Sequence, residues 1–116
     1  MKLYEQKAKR ISRDDVPISH EEAKSLMSEL SHWTREEGSI MREFRLKDFH
    51  QAMDFVNLIA GIANEQDHHP DLFISYNIVR VTLSTHKING LTLNDFIVAS
   101  KIDRVADEDR FAREAA

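Results

Sequence analysis

The chain has 116 residues, 41% hydrophobic and 31% charged, with three glycines, two prolines and no cysteine. That length suits one domain around one core, and the composition is that of a folded globular chain. A formal charge of −4 lacks the Lys and Arg surplus of a sequence-independent nucleic-acid grip, and the missing cysteines remove disulfides, thiolate nucleophiles and Cys-based zinc sites.

No apolar run reaches the length of a membrane span. The opening stretch "MKLYEQKAKRISRDD" has scattered charge and no hydrophobic core, unlike a secretory signal. The expectation is a cytoplasmic protein with neither membrane nor nucleic-acid partners. Residues 1–14, with Lys2, Lys7, Lys9, Arg10 and Arg13, are expected to form a solvated basic tail ahead of a single domain over 15–106.

Ser19 with Glu22 fits a capping box, and Ala23, Leu26, Met27 and Leu30 follow at helical spacing, which predicts a helix over about Ser19 to Ser31. In "WTREEGSIMREFRL", Glu37-Gly38 reads as a turn between two extended segments. Ile40, Phe44 and Leu46 share one parity, so the stretch reads as a hairpin. Asp48 is a good N-cap for the longest helix, which runs to about Asn64. Phe49, Ala52, Met53, Val56, Ile59, Ala60 and Ala63 form its apolar stripe, and Phe55, Leu58 and Ile62 widen it beyond one contact surface. A helix apolar on more than one side buries a second face, here read as a subunit interface.

Pro70 disfavours helix at His69. Val79, Val81, Leu83 and Thr85 alternate with Arg80, Thr82 and Ser84, as in a strand with one face on a core. "KINGL" is a loop around Asn89-Gly90, and Thr92 with Asp95 marks a last helix whose apolar side includes Phe96, Ile97, Val98, Ile102 and Val105. The C-terminal residues 107–116 read as a fraying tail. Locally paired strands interspersed with helices predict an α+β fold. It is a two-layer sandwich of a four-stranded antiparallel sheet with about three helices packed on one face.

The stretch from Asn64 to His86 holds three of the six histidines. Imidazole, with an unperturbed pKa near ~6.5, can give or take a proton at neutral pH, so two histidines from different elements can serve as acid and base in one pocket. His68 and His69 leave the long helix, and His86 closes a strand. Convergence requires that strand to pair back beneath the helix end. A bland reading competes with this one: a His near a helix C-terminus is favoured by the macrodipole alone. A metal site is disfavoured, because adjacent histidines in extended chain point apart and no HExxH or Cys ligand is present. Patterning alone leaves structural histidines ahead of catalytic ones.

"DHHPDLFISYNIVRVTLSTH" followed by "GLTLNDF" resembles the pterin-4a-carbinolamine dehydratase family. The likeness rests on His68-His69-Pro70, Tyr76, His86 and Asp95 at matching spacing, and on "YNxVxxxLSTH" as Tyr76-Asn77, Val79, Leu83 and Ser84-Thr85-His86. It spans roughly residues 15 to 106. The resemblance implies dehydration of 4a-hydroxytetrahydropterin to quinonoid dihydropterin in tetrahydropterin recycling, with no cofactor and no metal. It further implies catalytic His68, His69 and His86, with His69, Pro70 and Asp95 against the pterin. Asp95 also has an adequate role as the capping partner of Thr92. Implied partners are the pterin substrate, a second or fourth copy of the chain as homodimer or homotetramer, and a functional link to an aromatic amino acid hydroxylase. One position departs: the family often has Glu one helical turn before the first His, and this chain has Asn64, which can orient an imidazole but carries no charge. The alternatives are a non-catalytic pterin-binding, dimerisation or assembly protein of the same fold, and action on another pterin such as one in molybdopterin metabolism.

Overall fold

Side-chain alternation along the strands decides which face of the sheet is covered. In a computed structural model describing residues 1–108, four strands form one antiparallel sheet in the order β1-β2-β4-β3. They are β1 (Thr34–Glu36), β2 (Ser39–Arg45), β3 (Asp71–Ser75) and β4 (Ile78–Leu83). The central pair sets Ile40 opposite Leu83, Arg42 opposite Val81 and Phe44 opposite Val79. The predicted apolar rows of the two strands therefore lie on the same face, and all five of their apolar residues here are buried. Glu43, Arg45 and Arg80 point the other way and are exposed.

Three helices cover the apolar face: α1 (His20–Met27), α2 (Phe49–Gln66) and α3 (Leu93–Glu108). Ser19 Oγ accepts from the Glu22 N–H, and Asp48 caps α2 by accepting from the Gln51 N–H. α1 is shorter than the spacing predicted. From Ser28 onward the N–H groups bond three residues back instead of four, and the chain turns off toward Trp33. The last predicted residues of the C-terminal tail, 109–116, lie outside the described residues.

The buried face of α2 differs from the predicted stripe. Phe55 is fully buried and meets Phe44 edge to face, with ring centroids 4.7 Å apart. Phe49 is half exposed and Leu58 is also exposed. The apolar width of α2 is therefore split between the core and a surface row.

Arg42 shares the inward parity of β2 and is buried. Its guanidinium lies 4.2 Å above the Phe44 ring and 2.6 Å from Asp103 Oδ1. The Trp33 indole N–H donates to both Asp103 oxygens. Burial nonetheless pushes the Asp103 carboxyl above its ordinary value, against the opposing pull of Trp33 and Arg42.

The N-terminal segment exposes its basic side chains Lys2, Lys7, Lys9, Arg10 and Arg13, while its backbone and Leu3 dock on the domain. Leu3 is buried in the main core, and Tyr4 is held by the Lys101 ammonium on its carbonyl and the Arg104 guanidinium over its ring. The reason lies in α3 and α2, whose polar side chains bond the segment's backbone.

Candidate active site

α2 ends in a closure that fixes where its histidines go. Asp67 adopts the left-handed conformation, φ 50° and ψ 43°. Its N–H reaches the Asn64 carbonyl and the His68 N–H reaches the Ala63 carbonyl. These are the two bonds of a Schellman closure, with Asp in the position glycine usually takes. Pro70 cannot continue a helix, and β3 begins at Asp71. His68 and His69 are therefore presented on the short link between helix and sheet edge.

His86 is held by a pinned loop. After β4, Thr85 bridges to Gly90, enclosing a single 3₁₀ turn (His86–Ile88) and Asn89 in the left-handed conformation. Gly90 has a packing reason to be glycine. A Cβ there would lie 2.8 Å from the Pro17 ring, where the N-terminal segment crosses before Ile18 bonds the Leu91 carbonyl.

The shortest and most buried histidine contact of the site joins His68 to α3. His68 Nε2 lies 2.6 Å from Asp95 Oδ1, with the imidazole 10% exposed and the carboxylate fully buried. Asp95 Oδ2 also accepts from the Thr85 hydroxyl at 2.8 Å and from the Thr92 N–H at 3.0 Å. An acceptor in this setting makes His68 the donor through Nε2 and leaves Nδ1 as the nitrogen free to exchange a proton. Asp95 thus caps α3 and orients His68 with the same group. The Thr92 hydroxyl bonds Thr85 and does not reach back into the helix, so only half of the expected capping box forms.

Asn64 lies against His69, with its amide oxygen 3.0 Å from Nε2. The expectation that this position tunes His68 is corrected, because the Schellman closure swings His68 toward α3 and leaves His69 above Asn64. His86 is exposed, its Nε2 3.7 Å from Asp71 Oδ2.

His68, His69 and His86 all line one cleft of about 740 Å³, within the ~300–1,000 Å³ range of small-molecule sites. Asp95 sits behind His68, and neither it nor Pro70 is among the cleft's lining residues. Tyr76 lies in the β3–β4 turn with 66% of its surface exposed. The cleft's remaining wall was not anticipated. It includes Gln66 and Asn94 and the N-terminal residues Ala8 to Ile11. Nothing in local periodicity marks these, since each is defined by a partner far away in sequence. Among the described residues, no group of three or more His, Cys, Asp or Glu is placed to hold a metal ion. No described helix is long and apolar enough to cross a membrane.

Comparison with known proteins bears on this geometry. The family profile described as pterin 4 alpha carbinolamine dehydratase matches residues 16–105. A protein of Nitrosomonas eutropha, provisionally named a pterin-4-alpha-carbinolamine dehydratase, is 40% identical over 87% of this chain and 90% of its own. One from Legionella pneumophila strain Paris, with the same provisional name, is 47% identical over 76% of this chain and 80% of its own. The crystal structure of a transcriptional coactivator/pterin dehydratase from Brucella melitensis superposes with a TM-score of 0.74 at 36% identity, covering 78% of this chain and 98% of that one. A pterin dehydratase-like protein identified as a RuBisCO assembly factor in the alpha-carboxysome shares the fold alone, at TM-score 0.54 and 14% identity over 84% of this chain and 96% of its own. With the profile spanning the chain from α1 into the last turn of α3, and the histidine-bearing link and loop inside it, this chain belongs to the pterin-4a-carbinolamine dehydratase family.

Proposed function

We propose that the protein dehydrates 4a-hydroxytetrahydropterin to quinonoid dihydropterin and water. It would act in cytoplasmic recycling of tetrahydropterin consumed by an aromatic amino acid hydroxylase. The observation that supports this most is the clustering of three imidazoles on one cleft, with His68 oriented by a buried carboxylate. The C4a–O bond breaks as the leaving hydroxyl takes up a proton, while a ring-nitrogen lone pair forms the new C=N bond and a ring N–H gives up its proton. One proton goes in and one comes out, so no covalent nucleophile is required. His68 and His86 are the acid–base pair, with His69 holding the pterin. Pro70 shapes the link that presents His69, and Asp95 acts through His68. Acid–base catalysis on this pattern contributes about 10²- to 10⁴-fold.

The test is the absorbance decay of freshly generated 4a-hydroxytetrahydropterin with and without the protein. Acceleration of at least about a hundredfold is expected, and a rate equal to buffer with folded protein would sink the proposal. The second reading, a binding or assembly protein, draws on the fold shared with the RuBisCO assembly factor. It predicts pterin binding or partner binding without turnover. Either reading accommodates self-association as a homodimer or homotetramer through exposed apolar residues such as Phe49 and Leu58 on α2, which light scattering at micromolar concentration would detect.

A further inference from the structure

The cleft is closed on one side by chain that precedes the matched family region, which begins at residue 16. Ala8, Lys9, Arg10 and Ile11 line it, and their backbone is clasped from below. The Ala8 N–H donates to Gln66 Oε1 at 2.8 Å. The Asn94 amide holds Lys9 from both sides, accepting from its N–H at 2.9 Å and donating to its carbonyl at 2.6 Å. The Lys87 ammonium reaches the Ile11 carbonyl at 2.9 Å. Gln66 and Asn94 are both buried, unusual for amides, and each gives its side chain to this clasp. Upstream, Leu3 in the core and Tyr4 against α3 anchor the other end of the strap.

We infer that the strap Ala8–Ile11 is a substrate-binding wall of this site and that Asn94 and Gln66 are its positioning residues. The inference rests on the pterin reading of the cleft. A flat heterocycle with donors and acceptors around its rim gains affinity from a wall fixed before it arrives. With Ala8 and Lys9 N–H groups and the Lys9 and Ile11 carbonyls committed to the clasp, the Arg10 peptide groups have no partner among the described residues and face no such competition. Charge at the cleft is mixed, with Lys9, Arg10 and Lys87 against Glu65 and Asp67, so the wall acts through shape and backbone hydrogen bonds and does not select by net charge.

The experiment uses the full chain with 7,8-dihydrobiopterin as a stable ligand, read by fluorescence titration, beside the dehydration assay. Lys9→Pro removes the N–H that Asn94 accepts, and Asn94→Ala removes the clasp from the other side. Each is expected to raise Kd and KM about tenfold and to leave kcat within about twofold. The double variant is expected to be no worse than about twice either single, because both break one clasp. Multiplying effects would mean that Asn94 meets the pterin by itself and would overturn its positioning role. In the wild type, saturating dihydrobiopterin should slow trypsin cleavage after Lys9 and Arg10 at least threefold. Unchanged Kd in Lys9→Pro, no protection from trypsin, or tighter binding on undocking would each overturn the inference. A wild type that binds dihydrobiopterin and protects the strap without dehydrating its substrate would sink the dehydratase reading alone. Failure to bind would sink both.

Discussion

His86→Ala is expected to lower kcat for 4a-hydroxytetrahydropterin by about 10²- to 10⁴-fold, the full contribution of one member of the proposed acid–base pair. The variant is a clean one. His86 is mostly exposed and its nearest carboxylate, Asp71, is equally exposed at 3.7 Å, so its removal should change stability by no more than about 0.5 kcal/mol. The measurement is absorbance decay at saturating substrate, with urea unfolding to establish that the fold is intact. His68→Ala should fall in the same range. The double variant should lose much less than the product of the two, since the groups act on one event. A His86→Ala enzyme within threefold of wild type would reduce this histidine to a rim residue and leave the acid–base pair to His68 and His69.

Asp95 is where the expected effects on stability and on activity meet. Asp95→Ala strips acceptors from the His68 imidazole, the Thr85 hydroxyl and the Thr92 N–H at once. Leaving a buried donor unmatched costs about 1–3 kcal/mol, and the three donors share one site, so their costs do not simply add. The expected loss is about 3–5 kcal/mol by urea unfolding. Asp95→Asn separates the two roles. It keeps the shape and part of the cap, so it should be more stable than the alanine variant. An amide has only one acceptor oxygen, however, and cannot serve both the Thr pair and His68. If its NH₂ faces His68, the imidazole must accept at Nε2 and carry its hydrogen on Nδ1, the wrong tautomer for proton uptake from substrate. A kcat fall of about a hundredfold with KM nearly unchanged is expected. Wild-type kcat in Asp95→Asn would show that the carboxylate is a helix cap and nothing more.

The competing binding reading has a structural footing in the divided face of α2, whose outward residues the core does not use. Turnover by the wild type separates the two readings, and it is independent of how many copies assemble.

Much of this molecule is written in short-range pattern. The rows Ile40-Phe44-Leu46 and Val79-Val81-Leu83-Thr85 point inward as their alternation requires, and Ser19 and Asp48 stand at helix starts where their oxygens reach an N–H three residues on. Each such feature depends on neighbours within one turn or one pleat, so the linear chain states it. The resemblance carried by the His-His-Pro stretch added the family in the same way, as residues at fixed spacing. Parity puts Arg42 in the inward row but says nothing of what would receive its charge there. That placement survives because Asp103, 61 residues away, meets it. Sequence spacing put Asn64 one turn below His68, and the left-handed Asp67 turned His69 toward it. Phe49 belongs to the predicted stripe of α2 and Phe55 to its widened margin, and only the angle at which α2 lies on the sheet assigned the first to water and the second to the core.

The pairing of His68 with Asp95, the gathering of His86 into the same cleft, and the strap clasped by Gln66 and Asn94 all join residues 18 to 85 positions apart. Such contacts form only once the sheet order β1-β2-β4-β3 brings the end of α2 beside the start of α3. Their energies belong to that arrangement and to no local segment. The sequence by itself determined the elements, the inward rows of the central strands and the family. The tertiary structure decided which histidine is oriented, by what, and which part of the chain walls the site.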